Sequence, residues 1–299
     1  MAIIDEIKNK YKSGSMLMRI IYINIAVFIV LHIVTFLGVL FSYNGQEAIQ
    51  WIEVPSSLTM LLHRPWTVIT YMFAHYDFLH ILFNLLWLYW LGRIFLDYFT
   101  PKQLCGLYFL GGIGGAALYV IAYNTIPHFI GQEAFMLGAS ASILAIVVAI
   151  AVYVPNYKIN LLFIGAISLK WIAIITILID FLSIDMSNAG GHIAHIGGAL
   201  VGLAFAMSIR RGTDITAWLN KIIDGIVKMF KHRQPQVGQP TGGRAYHYAE
   251  THKAKKKTNP NGEPTEEELD IILDKIKRSG YSALSDKEKE QLFKASRKR

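Results

Sequence analysis

Cysteine is nearly absent: Cys105 is the single one among 299 residues. That excludes an intramolecular disulfide and any cysteine-based metal site. Charge is scarce too, at 17% of residues, against 53% hydrophobic and a mean hydropathy of +0.37. A typical soluble domain carries about 25% charged residues. The apolar residues gather into long runs, so the chain reads as a polytopic membrane protein rather than a globular core. Acidic side chains are outnumbered 21 to 29, a formal net charge of +8. The excess lies mostly at the chain ends, where it speaks for topology and lipid contact; no nucleic-acid partner is expected. The first apolar run, residues 20–41, is too long for a signal-peptide core and no A-x-A-like site follows it, so it is expected to be retained.

Six spans are expected, over residues 20–41, 78–98, 103–123, 136–154, 169–183 and 190–209. The fifth is short. The stretch before it, NYKINLLFIGAIS, lies between basic residues and is expected to be a re-entrant or surface segment. Lys8, Lys10, Lys12 and Arg19 precede span one; Arg93, Lys102, Lys158, Arg210 and Arg211 mark the same side. The opposite loops hold Arg64 with Glu47, Glu53, Asp77, Glu133 and Asp185. The positive-inside rule therefore puts both termini in the cytoplasm, and the expected location is a bacterial cytoplasmic membrane. The loop 42–77, with Trp51, Leu61, Leu62, Trp66 and Val68, reads as a structured element in the outer interface.

The fold class is thus an all-α polytopic membrane bundle of six helices with a small cytoplasmic helical extension. It divides into a tail (1–19), a membrane core (20–211), an interfacial amphipathic helix (212–233), a flexible basic linker (234–263) and a small helical module (264–299). The amphipathic helix stripes Ile215, Trp218, Leu219, Ile222, Ile223, Ile226 and Phe230 on one side. In the last module Thr265 with Glu268, and Ser285 with Glu288, match capping boxes. So small a unit calls for a partner surface, here a cytoplasmic one.

With both ends inside, spans two, four and six start in the outer leaflet. There the chain carries His75, His80 and Asn84, then Ser140, then His192 and His195. At about 1.5 Å per residue, Ser140 and His195 reach similar depths. Alone, Ser140 reads as a packing or back-bonding serine, and a lone histidine as one that snorkels to the interface. Asn84 is harder to dismiss, because an unpaired amide in hydrocarbon is costly, and it shares a helix face with His80. Gly198 and Gly202 lie on the face of His195, and such a G-x-x-x-G face invites close helix contact. If span four is that neighbour, His195 meets Ser140 and can take its proton, while His80 and Asn84 can donate to an oxyanion. A second reading, a metal-dependent membrane hydrolase or metal transporter, would use His75, Asp77, His80, His192 and His195. It leaves Ser140, Asn84 and the glycine face unexplained.

These residues resemble the rhomboid family of intramembrane serine proteases. AHYDFLHILFN (74–84) resembles the family's H-x-x-x-x-H-x-x-x-N, GASA (138–141) its G-x-S-x, and AHIGGALVG (194–202) its A-H-x-x-G-x-x-x-G. PWTVITYMF (65–73) resembles the approach to span two. The resemblance implies Ser140 as nucleophile, His195 as general base, and His80, Asn84 and the Ser140 amide as oxyanion hole. Gly138 gives room beside the serine, His75 is a peripheral match, and Phe83 falls in a lateral gate between spans two and five. The family works as a Ser–His dyad without a cofactor, and no acidic residue is expected near either member. Water is expected from the outer face past His75, His80 and His192. The implied substrates are membrane proteins cut near the outer end of a helix-destabilised transmembrane segment; a non-catalytic binder of such segments is the third reading. The chain departs from the family pattern at Thr67, where Arg usually follows Trp66. It departs again at Ala141 for Gly, at Leu144 for Tyr, and at Leu96, where a buried Glu is usual and the acid is Asp97.

Overall fold

The computed structural model describes residues 15–161, 165–184 and 188–230, with a few positions between 269 and 293. The expectations for residues 1–14 and for the linker 234–263 lie outside the described residues, as does the capping box at Thr265. Among the described residues, four helices are long and apolar enough to cross a membrane: α1 (Met16–Leu40), α5 (Phe78–Tyr98), α6 (Pro101–Thr125) and α9 (Ala189–Arg210). Local chemistry sets their starts. Ser15 accepts from the Met18 N–H, Thr100 and Gln103 cap each other's backbone with Pro101 in the first turn, and Asn188 accepts from the Gly191 N–H.

Three short helices, α2 (Gly45–Ile49), α3 (Leu58–His63) and α4 (Thr67–Thr70), build the loop after α1, followed by a 3-10 turn at Tyr71–Phe73. The loop is structured, as expected. Trp51 stacks on Trp66 with ring centroids 6.1 Å apart, the Trp66 indole N–H donates to the Trp51 carbonyl, and Arg64 lies 4.1 Å over the Trp51 ring. Thr67 is buried and its hydroxyl donates to the Arg64 carbonyl at 2.7 Å. A short buried hydroxyl thus fills the place where the family pattern has Arg.

Two further helices, α7 (Ser140–Tyr153) and α8 (Leu169–Leu182), have 14 residues each. Each is about 21 Å long, less than the roughly 30 Å hydrocarbon core. Residues 141–151 of α7 are all buried, with α5, α6, α8 and α9 packed around them. The helix expected from residue 136 begins four residues later. Strand β2 (Phe135–Met136) pairs with β1 (Val54–Pro55) instead, and Gly138 at φ +125° turns the chain into the helix. The expectation for the segment before α8 is a re-entrant or surface element. The segment forms an antiparallel ribbon of β3 (Lys158–Leu161) and β4 (Gly165–Ser168), pairing Lys158 with Ser168 and Leu161 with Gly165.

The expected amphipathic helix is α10 (Ala217–Phe230). It docks on the start of α6, where Gly106 leaves room for Thr216 and Asn220, and Lys102 pairs with Asp224. Trp218, Ile222 and Ile226 remain exposed. Residues 233–299 form a separate unit. Among its described residues, the Ser285 N–H donates to Glu288 and the Glu288 N–H to the Ser285 hydroxyl, the expected capping box.

Helix α9 is sandwiched between α6 and α7 through glycines. A Cβ on Gly198 would lie 2.1 Å from the Ala141 carbonyl oxygen, and one on Gly202 2.2 Å from that of Ala145. On the other side, a Cβ on Gly197 would lie 2.5 Å from the Gly114 oxygen. These obstacles are backbone atoms, which cannot rotate away. Gly198→Ala should therefore destabilise the core by at least about 1–3 kcal/mol, read as a lowered thermal midpoint in detergent micelles. An unchanged midpoint would contradict this packing.

Candidate active site

Three helices bring titratable side chains to one point. Ser140 is the first residue of α7, and its Oγ lies 2.6 Å from Nε2 of His195 on α9. Nδ1 of the same imidazole lies 2.8 Å from Asp180 Oδ1 on α8. Nδ1 of His192, one turn earlier on α9, lies 2.9 Å from that same oxygen. The expectation of no acidic residue near the pair is thus overturned. Asp180 is 4% exposed and shares the inward stripe of α8 with Ala173 and Thr176, while Trp171, Ile174, Ile175, Leu178 and Ile179 face outward. It had a sequence signal: a lone carboxylate inside an apolar helix is costly and marks function by default.

Ser140 is held from behind by the loop that precedes it. The Tyr71 hydroxyl donates to the Gly112 carbonyl, and the Tyr71 carbonyl accepts the Gly138 N–H at 2.9 Å. The Ala139 N–H donates to His75 Nε2 at 3.4 Å. His75 is fully buried, with its ring 5.0 Å from that of His80. Burial, then the neighbouring His80, push its imidazole down to about 4, so it is neutral at physiological pH. His75 therefore props the serine loop and does not face water, contrary to its expected role in water entry.

His80 lies directly beside the serine. A Cβ on Gly138 would stand 3.1 Å from His80 Cε1 and 3.7 Å from Ser140 Oγ. Asn84 is buried one turn below and its amide donates to the His80 carbonyl at 2.9 Å. That leaves its second N–H available. The start of α7 supplies backbone donors too, because the first N–H groups of a helix have no intrahelical acceptor. Ser142, by contrast, is buried against α6 near Gly111, the packing role expected of it.

A cavity of about 330 Å³ opens onto this cluster, lined by Ser140, His195, His80 and Asn84 and by apolar side chains. Phe83 of α5 and Thr176 of α8 both border it, and Leu144 stands in its wall where the family pattern has Tyr. A second cavity, about 410 Å³, is lined by Glu53, Tyr76, His128, Gln132 and Asn188 among others, and shares His80 with the first. Burial raises the Glu53 carboxyl above its usual range, opposed by the hydrogen bond it accepts from Tyr76. Of the residues expected for a metal site, His192 and His195 meet around Asp180, their ligand atoms within 4.8 Å of one another. His75 and His80 pack against each other instead.

The site and its helices define a membrane-embedded Ser/His cluster beneath an apolar cavity. The rhomboid domain family matches residues 62–212, half of the chain, and this multi-pass membrane protein belongs to it. It is similar to RHOMBOID-like protein 12, mitochondrial, of Arabidopsis thaliana, at 33% identity over 157 residues. That alignment covers 49% of this chain and 47% of the plant protein, so the chain spans about half the length of that relative. Residues 255–298 match a family of unknown function (DUF6576).

Gly138→Ala should force a side chain onto φ +125° against His80. A loss of about 1–3 kcal/mol in unfolding free energy is expected, checked by denaturation in micelles.

Proposed function

We propose that the protein is an intramembrane serine endopeptidase that cuts transmembrane segments near their outer end. The observation that carries this is the 2.6 Å contact between Ser140 Oγ and His195 Nε2 at the floor of the apolar cavity. In this scheme a substrate strand enters the cavity framed by α5, α7, α8 and α9. His195 takes the Ser140 proton as Oγ attacks the peptide carbonyl, and the resulting imidazolium gives it to the departing amine. His80, Asn84 and the Ser140 amide stabilise the oxyanion, and water then releases the acyl group. The polar cavity that shares His80 supports water delivery from the outer side. A helical peptide bond is shielded by its own backbone, so preferred substrates unwind easily and carry small residues at the cut. Six spans with both termini in the cytoplasm, in a bacterial cytoplasmic membrane, complete the reading; α7 and α8 are the two short spans.

One observation favours a second reading: Asp180, His192 and His195 offer an N, N, O ligand set. A divalent cation there would hold His195 at Nδ1 and leave Ser140 without a role.

Cleavage of a model transmembrane substrate in proteoliposomes separates these. Ser140→Ala should lower kcat by about 10⁴-fold or more. His80→Ala and Asn84→Ala should each lower it by about 10²-fold with smaller changes in KM. Full activity of Ser140→Ala, abolished by a chelator, would establish the metal reading instead. Failure of Ser140 to react with a fluorophosphonate in the folded protein would point to a non-catalytic helix binder.

The C-terminal module, with its separate family match, serves a docking or regulatory role toward a cytoplasmic partner in this reading. Deleting residues 234–299 should alter substrate choice or partner capture and leave cleavage of a generic substrate within about threefold. A dead core would refute that role.

A further inference from the structure

Asp180 is a buried ionisable group at the site that the scheme above does not use. A carboxylate in the apolar interior is expensive to keep, and replacing a buried ionic group by an apolar one is often neutral or stabilising. This one is 4% exposed, and its Oδ1 is aimed at two imidazoles. Its Oδ2 has no hydrogen-bond partner among the described residues. We propose that Asp180 is a positioning residue for His195, fixing the tautomer and the orientation that make it a base. The proposal rests on the serine-protease reading and adds a third member to its catalytic apparatus.

The geometry dictates the tautomer. Neutral imidazole carries one N–H and one lone pair. With Nδ1 2.8 Å from a carboxylate oxygen, a lone pair on Nδ1 would face another lone pair. The proton therefore sits on Nδ1, and the Nε2 lone pair points at Ser140 Oγ, 2.6 Å away. The opposite tautomer would point an N–H at Ser140 Oγ and a lone pair at the carboxylate, leaving no base facing the serine. As the reaction begins, the Ser140 O–H bond breaks and an Nε2–H bond forms. The Oγ–carbon bond forms as the carbonyl π pair moves onto oxygen. The imidazolium so created stands beside an ionised carboxylate, which keeps its charge throughout. His192 donates to the same Oδ1 and so resists rotation of Asp180 away from His195.

The consequence is that α8 takes part in the chemistry. In the scheme none of its residues acts on the substrate carbonyl, yet its inward carboxylate sets the base on α9.

The test uses the full-length protein in proteoliposomes with a model transmembrane substrate, alongside Ser140→Ala. Asp180→Asn keeps the shape but can present an N–H to His195. It should lower kcat by at least about 100-fold with KM within about threefold. Asp180→Glu should recover part of the loss. A merely structural role would move KM and stability together and would show no such split. The second measurement needs no variant at Asp180. In protein with ¹⁵N-labelled histidine, the His195 resonances, assigned by their loss in His195→Gln, should report a protonated Nδ1 and an unprotonated Nε2. If Asp180→Asn does not fold, this tautomer measurement decides. Near-wild-type kcat in Asp180→Asn, or a proton on Nε2 in the wild type, overturns the proposal. Retained cleavage by Ser140→Ala would instead defeat the serine-protease reading, a distinct outcome.

Discussion

The backbones of α7 and α9 touch. Everything at the site depends on that approach, because a hydroxyl and an imidazole on separate helices meet at hydrogen-bond distance only when the helices do. Gly198 and Gly202 make it possible: a methyl group at either would sit within 2.2 Å of a carbonyl oxygen on α7. In lipid there is no hydrophobic force to press helices together, so close packing and polar contacts must do it. Gly197 and Gly114 repeat the device on the α6 side, so α9 is fixed from two directions and His195 has little freedom relative to Ser140.

The second constraint is the cost of polar groups in apolar surroundings. Most of them here are paired in ways that also hold the serine loop. Asn24 donates to the Tyr108 hydroxyl, Tyr108 to the Met72 carbonyl and Tyr71 to the Gly112 carbonyl. Together these bonds run from α1 through α6 to the turn before α5, which carries His75 and, through its Tyr71 carbonyl, Gly138. Residues outside the proposed chemistry thereby fix the position of the proposed nucleophile.

Much of this was legible in the chain. The four long helices fall within about four residues of the hydropathy runs, since a roughly 20-residue apolar stretch has few alternatives in a bilayer. The Gly198/Gly202 face and the pairing of Ser140 with His195 followed from counting helix positions and matching depths. Other features were illegible for physical reasons. The β1–β2 pair joins residues about 80 positions apart with two residues on each side, too little for any periodicity. The late start of α7 depends on that pairing. The strands at 158–161 and 165–168 carry an apolar composition that a re-entrant or surface segment shares. Asp180 is different, because its signal was present. A two-residue dyad gives no reason to expect it, although a carboxylate in an apolar helix requires an explanation of its own.

The short α7 then has a mechanical sense. A full-length span would put its first turn at the membrane surface, where water competes for every donor. At about 21 Å, preceded by β2 and the Gly138 turn, the helix is short enough to start below that surface in the proposed reading, with its free N–H groups and Ser140. The proposed peptide hydrolysis would make two opposed demands there: an apolar surface for a transmembrane segment and a route for water. The two cavities divide these demands between them, one walled by Phe83, Leu144 and Val147, the other by Glu53, Gln132 and Asn188. His80 borders both, next to Gly138 and within reach of Ser140. A side chain there can donate to a developing oxyanion and still contact the aqueous side. An aliphatic residue at position 80 would remove that donor from the border of both cavities, so the proposed chemistry calls for a polar ring at this junction.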